Sequence, residues 1–207
     1  IYMTDLPLFA PLSKEEKAII KENSIQQTVP NGTELLKEGQ FVNVVPVVIS
    51  GLIKVYTRNE DKEMLLYYIQ AGETCVMSYT SAVRSEPSRV YAITEEETEV
   101  GLLPRDPLRK WIVEFPAINE VFLNQYNQRY TDLLNAVSHI TFNKIETRLF
   151  DHLVELTKLK NENPVKISHR KLASELGTAR EVISRTLKKL EVEGRLAQTP
   201  DGIFVNR

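Results

Sequence analysis

The chain is poor in cysteine, since Cys75 is the only one among 207 residues. An intrachain disulfide is therefore impossible, and four-cysteine zinc sites and cysteine-ligated iron–sulfur clusters are excluded. Long apolar runs are also lacking: the strongest, Val44–Ile49, contains a proline and is far shorter than the roughly 18 residues of a membrane helix. No Lys precedes Leu6–Phe9 and no apolar segment follows it, so we expect no secretory signal, no membrane association and a reducing cytoplasm.

The net charge of −2 conceals an asymmetry along the chain. Residues 142–207 contain 13 Lys and Arg against 9 Asp and Glu, a formal charge of +4. Residues 1–141 contain 13 against 19, a formal charge of −6. An acidic body followed by a basic C-terminal third favours an anionic partner for that third, although chance alone can produce an imbalance of this size.

The N-terminal half has the pattern of an antiparallel β-barrel or jelly roll. Ser13 and Glu16 form a capping box that predicts a short helix. Pro30–Gly32 predicts a turn of the hairpin type. Short β-branched segments follow, separated by Gly, Asn and acidic residues, and such spacing is typical of all-β barrels and rolls. The predicted strands are Val47–Ile49, Leu52–Tyr56, Leu65–Ile69 and Arg89–Ile93.

A long helix is predicted from Pro116, because residues 117–140 contain no Gly or Pro and would span about 36 Å. Apolar residues recur near heptad spacing with a polar centre. This stripe indicates either a core helix packed on the predicted barrel or the seam of a two-helix dimer, and its thin, polar-centred form fits the seam slightly better. The candidate seam residues are Ile118, Val121, Phe122, Gln125, Leu133, Ala136, Val137 and Ile140.

Residues 168–190 predict a helix-turn-helix. Ser168 can cap a first helix in which the small Ala173 allows a close approach, and Gly177 supplies the positive φ of a tight turn. Thr178 and Glu181 predict a capping box for the second helix. The turn at residues 199–202 and the apolar residues 203–205 then predict a β-hairpin wing.

The outer face of the second predicted helix has the chemistry of DNA recognition. Arg180, Glu181, Ser184 and Arg185 lie on it, and such side chains bind base edges in the major groove. We expect phosphate contacts from Ser168, His169, Arg170, Thr178, Lys188 and Lys189. The alternative is an ordinary solvated helix face with a weak Glu181–Arg185 pair.

These residues resemble the cyclic-AMP receptor protein and fumarate–nitrate reductase regulator (Crp/Fnr) superfamily over nearly the whole chain. The resemblance lies in residues 8–13, 51–56 and 72–73, and more specifically in residues 172–194. It implies an α+β protein with a cyclic-nucleotide-binding-like β-roll at 1–115, a dimerisation helix and hinge at 116–141, and a winged helix-turn-helix at 142–207. It also implies a homodimeric transcription regulator that binds palindromic double-stranded DNA and, by analogy, RNA polymerase.

The resemblance leaves the half-site open. The fumarate–nitrate branch reads bases through Glu-x-x-Ser-Arg, which matches Glu181, Ser184 and Arg185. The cyclic-AMP branch uses Arg-Glu and a later Arg, which matches Arg180, Glu181 and Arg185. This helix satisfies both patterns.

The effector site departs from both branches. Gly72-Glu73 is present, but no second Glu follows it. Where the resemblance places an Arg-Ser or Arg-Ala pair for the phosphate, this chain has Glu86-Pro87, although a loop shift could bring in the nearby Arg84 or Arg89. A carboxylate there would repel a phosphate, so cyclic AMP is not the expected effector, and the effector remains unknown. The iron–sulfur branch needs N-terminal cysteines that are absent. The candidate pocket residues are Gly72, Glu73, Thr74, Cys75, Met77, Ser78, Arg84 and Arg89.

Other functions find little support in the residues. Cys75 is expected to be a small buried hydrophobe rather than a thiol sensor. His139 and His152 have no second ligand at a suitable spacing, so neither a metal nor a haem site is expected. We expect no catalytic residues, because no nucleophile triad, phosphate loop or carboxylate pair is found. The alternatives are a small-molecule-binding module whose C-terminal domain contacts proteins, and a nucleotide-hydrolysing enzyme.

Overall fold

A computed structural model describes residues 1–60, 62–142 and 144–206, with the backbone alone for 139–142. The chain forms two compact units, one of residues 1–57 and 66–133 and the other of residues 58–65 and 134–207. Runs of strands and runs of helices are largely segregated along the chain in an α+β arrangement, as the sequence predicts. The helices are α1 Lys14–Glu22, α2 Val76–Arg84, α3 Arg105–Glu114, α4 Pro116–Phe142, α5 Ile145–Leu159, α6 His169–Glu175 and α7 Arg180–Val192. The strands are β1 Ile25–Val29, β2 Glu34–Leu36, β3 Val44–Ser50, β4 Ile53–Asn59, β5 Lys62–Ile69, β6 Tyr91–Thr94, β7 Thr98–Pro104, β8 Leu196–Thr199 and β9 Gly202–Val205.

Two antiparallel sheets form the β-roll of the first unit. One has the strand order β1-β7-β3 and the other β2-β6-β4-β5. Pro46 lies in β3, which is an edge strand, so its missing N–H leaves no gap in the ladder on β7. The four predicted strands are confirmed as β3, β4, β5 and β6, while β1, β2 and β7 were not individually predicted.

Two apolar clusters stabilise this unit. One lies between the sheets and takes side chains from both, including Val48 and Val100 from one and Val55 and Ala92 from the other. The second cluster covers the outer face of β3 and β7 with α1, α2, α3 and the first half of α4. Gly101 in β7 permits this packing, because a Cβ there would collide with the side chain of Met3. The start of α4 is thereby held on the β-roll.

The second unit contains α5, α6, α7 and the β8–β9 hairpin around its own core. Leu149, Leu172, Ile183, Leu187 and Ile203 are almost fully buried there. The predicted wing is confirmed, with Leu196 opposite Val205 and Thr199 opposite Gly202. An isolated bridge between Val165 and Ile203 ties the segment before α6 to the wing.

Two local expectations need correction. The turn at Pro30–Gly32 does not form a hairpin, because β1 pairs with β7 while β2 pairs with β6 in the other sheet. The capping box at Thr178 and Glu181 does not form, since Ala179 occupies the N-cap of α7 and its side chain cannot accept a hydrogen bond. By contrast, the Ser13–Glu16 capping box is confirmed, with both reciprocal hydrogen bonds present.

Candidate nucleic-acid interface

The α6–turn–α7 segment presents one face of α7 to solvent. Ser168 caps α6 by accepting a hydrogen bond from the Lys171 amide at 3.1 Å. Gly177 adopts φ +64°, and the Thr178 amide then donates to the Ala173 carbonyl at 2.9 Å, which closes the turn. Because the apolar face of α7 packs into the core of the second unit, its polar face is turned outward.

That outer face contains the predicted base-reading residues. Arg180, Glu181 and Arg185 are exposed, and Ser184 is half-buried between them. Together with Lys188 they line a shallow open depression of about 480 Å³. Two guanidinium groups, one carboxylate and one hydroxyl in a single depression supply both donors and acceptors for base edges.

The six residues predicted to contact phosphates differ in their exposure and in whether their side chains already have a partner. Arg170 and Lys188 are exposed, whereas Thr178 is half-buried beside the turn. Lys189 forms an ion pair with Glu146 of α5, with 2.8 Å between Nζ and Oε1. The Lys189 ammonium lowers the pKa of the Glu146 carboxyl, and the Glu146 carboxylate raises the pKa of Lys189. Ser168 is exposed, but its Oγ already accepts from the backbone.

His169 bridges α7 and the wing. Its Nδ1 lies 2.9 Å from the Ser184 Oγ, and its Nε2 lies 3.1 Å from the Gln198 Oε1. Gln198 is held in turn by Glu191, which accepts from its backbone N–H at 2.7 Å and from its Nε2 at 3.2 Å. Sequence reasoning missed Gln198 and Glu191, because no spacing rule links a wing strand to the end of the preceding helix.

A buried pair joins α5 to α6. His152 Nε2 lies 2.7 Å from Glu175 Oε2, and both side chains are nearly inaccessible. This contact gives His152 a structural role, which fits the expectation that it is not a metal ligand. His139, the other histidine considered, lies outside the described side chains.

The predicted effector-pocket residues divide into two groups in the first unit. Gly72 to Ser78 follow β5 and run into α2, and Cys75 is buried at the N-cap of α2, where its Sγ accepts from the Ser78 amide at 3.4 Å. Burial raises the pKa of the Cys75 thiol. Met77 packs partly buried against the cluster between the sheets. Thr74 is fully buried, and its hydroxyl donates to the Pro46 carbonyl at 2.7 Å.

Glu73 is engaged by a buried arginine that sequence reasoning missed. Arg129 of α4 is only 5% exposed, and its Nη2 donates to Glu73 Oε1 at 2.7 Å. Its Nη1 donates to the Tyr68 carbonyl at 2.9 Å and lies 3.1 Å from Asp132. The guanidinium also lies 4.8 Å from the centre of the Tyr67 ring. The sequence signal was a lone Arg on the polar centre of the predicted stripe.

The two pocket arginines lie at the surface instead. Arg84 ends α2 and donates from Nε to Glu86 at 2.8 Å, while Arg89 lies 3.6 Å from the same carboxylate. The Arg84 guanidinium lowers the pKa of Glu86. Both guanidinium groups are thus paired with the Glu86 carboxylate at the surface.

Comparisons with known proteins agree with both units. The cyclic nucleotide-binding domain model matches residues 26–114, and the Crp-like helix-turn-helix domain model matches residues 147–207. A CRP-like cAMP-activated global transcriptional regulator of Mycobacterium tuberculosis is 24% identical over 165 residues, which cover 76% of this chain and 73% of that protein. A solved Crp/Fnr transcriptional regulator of Eubacterium rectale is 26% identical, covers 96% of this chain and 93% of its own, and superimposes with a TM-score of 0.85.

The chain belongs to the Crp/Fnr family. It is a Crp-like transcription regulator with a helix-turn-helix DNA-binding domain, and the matching proteins are regulators rather than enzymes. The fold alone is shared with the regulator CLP of Xanthomonas campestris, at 21% identity and a TM-score of 0.81, over 94% of this chain and all of that one. No helix within the described parts of the chain is long and apolar enough to span a membrane.

The long helix of this Crp/Fnr protein corrects the predicted seam. Ile118, Val121 and Phe122 are at most 2% exposed, because they pack in the core of the first unit against its own β-roll. They are therefore not available to a second helix. Gln125 is half-buried and accepts from the Thr74 amide at 3.2 Å. Ile140 lies outside the described side chains.

A second apolar stripe follows on α4. Leu123, Tyr126, Tyr130, Leu133 and Val137 are exposed, with Leu123, Tyr130 and Val137 between 61% and 67%. Their spacing alternates between three and four residues, which is the heptad pattern of a two-helix seam. Leu133 and Val137 belonged to the predicted seam, as did Ala136, which is half-buried.

Proposed function

We propose that this Crp/Fnr protein is a homodimer that binds a palindromic promoter site through α7, and that its β-roll gates binding in response to an effector other than cyclic AMP. In this proposal residues 1–115 are the sensor, 116–141 the dimerisation helix and hinge, and 142–207 the DNA-binding domain. Contact with RNA polymerase belongs to the proposal by family analogy.

The outward face of α7 carries the proposal. Arg180, Glu181, Ser184 and Arg185 share one open depression at the N-terminal half of a helix whose opposite face is buried. An arginine can bind guanine O6 and N7 at once, and a glutamate can accept from cytosine N4. Side chains at the start of a recognition helix are the ones that reach base edges.

Selection from a random duplex pool, without added ligand and near physiological salt, tests sequence reading. We expect the wild-type protein to enrich a palindrome, and Arg185→Ala to lose preference at one base pair per half-site, at a cost of about 1–3 kcal/mol each. Enrichment by neither protein, with or without a cell metabolite extract, would contradict the proposal and favour a ligand-binding module.

Lys188→Ala on the same face provides the matched comparison. A phosphate contact weakens binding to all sequences alike and lowers the slope of log affinity against log salt by about 1. Lys158→Ala changes the same residue type at an exposed position of α5 and should alter neither quantity. A loss of base preference in Lys188→Ala would contradict the division into reading and positioning residues.

The exposed stripe of α4 supports the homodimer. Leu123, Tyr126, Tyr130 and Leu133 leave large apolar surface in water unless another helix covers them. A second copy of α4 is the natural partner, because the same stripe is self-complementary about a two-fold axis. Such symmetry places two recognition helices on half-sites about one DNA turn apart.

The side chains around Glu73 support an effector other than cyclic AMP. The Glu73 carboxylate is bonded to Arg129, and Arg84 and Arg89 are paired with Glu86. A cyclic nucleotide would have to displace Arg129 from Glu73, and its phosphate would meet the Glu86 carboxylate. Named relatives respond to different nucleotides, one being described as cAMP-activated and another as c-di-GMP responsive, so neither effector transfers to this chain.

A further inference from the structure

A chain of four hydrogen-bonded residues runs behind the recognition face. It begins at Glu191 near the end of α7, passes through Gln198 in β8 and His169 at the start of α6, and ends at Ser184. All four belong to the second unit. We call this set the Ser184 relay.

The direction of each hydrogen bond in the Ser184 relay can be worked out from its first member. The Glu191 carboxylate only accepts, so the group of Gln198 that faces it is the NH₂. The Gln198 carbonyl oxygen therefore faces His169, and because that oxygen only accepts, His169 Nε2 bears the hydrogen. In a neutral imidazole the other nitrogen is then an acceptor. In that neutral form Ser184 donates its hydroxyl hydrogen to Nδ1.

This direction decides what Ser184 offers to DNA. A serine hydroxyl has one hydrogen to donate and two lone pairs, and it ordinarily bonds to either kind of base edge. Here the hydroxyl hydrogen is donated to His169, so only the lone pairs of the Ser184 oxygen remain for a ligand in the depression. Those lone pairs need a donor, and the donors in the major groove are adenine N6 and cytosine N4.

We propose that the Ser184 relay makes Ser184 a dedicated hydrogen-bond acceptor, so that this position of the half-site must be adenine or cytosine on the contacted strand. His169 is thus a positioning residue for base specificity rather than a phosphate contact. This inference rests on the proposed function, because it requires α7 to lie in the major groove.

The test compares binding-site selection by wild type, Ser184→Ala, His169→Phe and the double variant. Ser184→Ala identifies the base pair that Ser184 reads, as the position where preference is lost. We expect wild type to enrich adenine or cytosine there. His169→Phe keeps an aromatic ring but frees the hydroxyl to rotate, so it should accept all four bases at that position while the Arg185-dependent position is unchanged. The double variant should match Ser184→Ala.

Base analogues measure the same hydrogen bond directly. Replacing the selected adenine by purine, or the selected cytosine by pyrimidin-2-one, removes only the amino group. Wild-type affinity should fall roughly 2- to 10-fold per half-site, and the affinity of Ser184→Ala should not change.

The outcomes separate the inference from the proposed function. Wild-type enrichment of guanine or thymine at the Ser184 position, or an unchanged preference in His169→Phe, overturns the relay while leaving sequence-specific binding intact. Uniform weakening at every position by His169→Phe also overturns it, since that result indicates only a displaced wing. If wild type enriches no sequence either with or without a cell metabolite extract, that result overturns the proposed function itself, and the relay with it.

Discussion

Cys75 illustrates how position decides the chemistry of a single residue. It is the only cysteine, lies at the N-cap of α2 and is 1% exposed, and its burial raises the pKa of the thiol. The thiolate is the reactive form, so we expect the native protein at neutral pH to resist alkylation by iodoacetamide and to react once it is denatured. Mass spectrometry gives an unambiguous result with one thiol, and rapid full labelling of native protein would instead indicate an accessible sensor.

Lys189 would have to leave its carboxylate partner in order to make the proposed contact with a DNA phosphate. Its Nζ is 2.8 Å from Glu146, which holds the pKa of that carboxyl below its usual value, so Glu146 stays charged to more acidic pH. We expect Glu146→Gln to free Lys189 and strengthen binding to any duplex, measured by fluorescence anisotropy across a salt series.

The matched control for Glu146→Gln removes the same charge elsewhere on α5. Glu155 is exposed on that helix, and Glu155→Gln should raise affinity less, because only the general repulsion of DNA is reduced. Equal effects of the two substitutions would show that the ion pair itself does not restrain Lys189. Since Lys189 is exposed and Glu146 is only half-buried, loss of the pair should leave stability nearly unchanged.

At the scale of elements, the sequence predicted best where several local signals agree. A cap at Ser168, a small residue at Ala173 and a turn glycine at Gly177 are all local, and together they predicted the helix-turn-helix, while the turn at residues 199–202 predicted the wing. The sheet partners were not predictable in this way, because β1 and β2 are adjacent in sequence yet lie in different sheets. Nor was Arg129, whose carboxylate partner Glu73 is 56 residues away.

The helix α4 was predicted with the wrong face outward in its first half. The apolar residues Ile118, Val121 and Phe122 have helical spacing, but spacing alone does not say whether the β-roll or a second helix covers them. The same sequence contains a second heptad series that begins at Leu123 and continues through Tyr130. Packing against the β-roll buries the first series and leaves the second exposed.

The second series leads to a prediction about assembly. We expect Tyr130→Glu to raise the dimer dissociation constant by at least about 100-fold, because it places a charge in an apolar seam. Sedimentation equilibrium measures this constant. Asn124→Glu, an exposed position between Leu123 and Tyr126 on the same helix, introduces the same side chain beside the proposed seam and should have a much smaller effect. A persistent dimer in Tyr130→Glu would place the seam elsewhere.

At the scale of the whole molecule, the proposed function requires that effector binding be linked to DNA binding. Within the first unit, α4 is already tied to the segment at the end of β5. Arg129 joins α4 to the Tyr68 carbonyl in β5 and to Glu73 just after it. A ligand that binds between α4 and the end of β5 would stabilise the folded protein by similar hydrogen bonds and ion pairs. Breaking a buried pair by removing one partner is costly, so a nucleotide that displaced Arg129 would have to compensate for that loss.

We therefore expect cyclic AMP at millimolar concentration neither to raise the melting temperature nor to tighten DNA binding. A ligand present at 100 times its dissociation constant stabilises a protein by about 2.7 kcal/mol, which thermal unfolding would detect readily. The Glu73→Gln variant tests whether the Glu73–Arg129 ion pair stabilises the protein. It weakens that pair and should lower the melting temperature with or without the nucleotide. Stabilisation of wild type by cyclic AMP would mean that Arg129 yields to the ligand, and that the Glu73–Arg129 pair is the element that the effector switches.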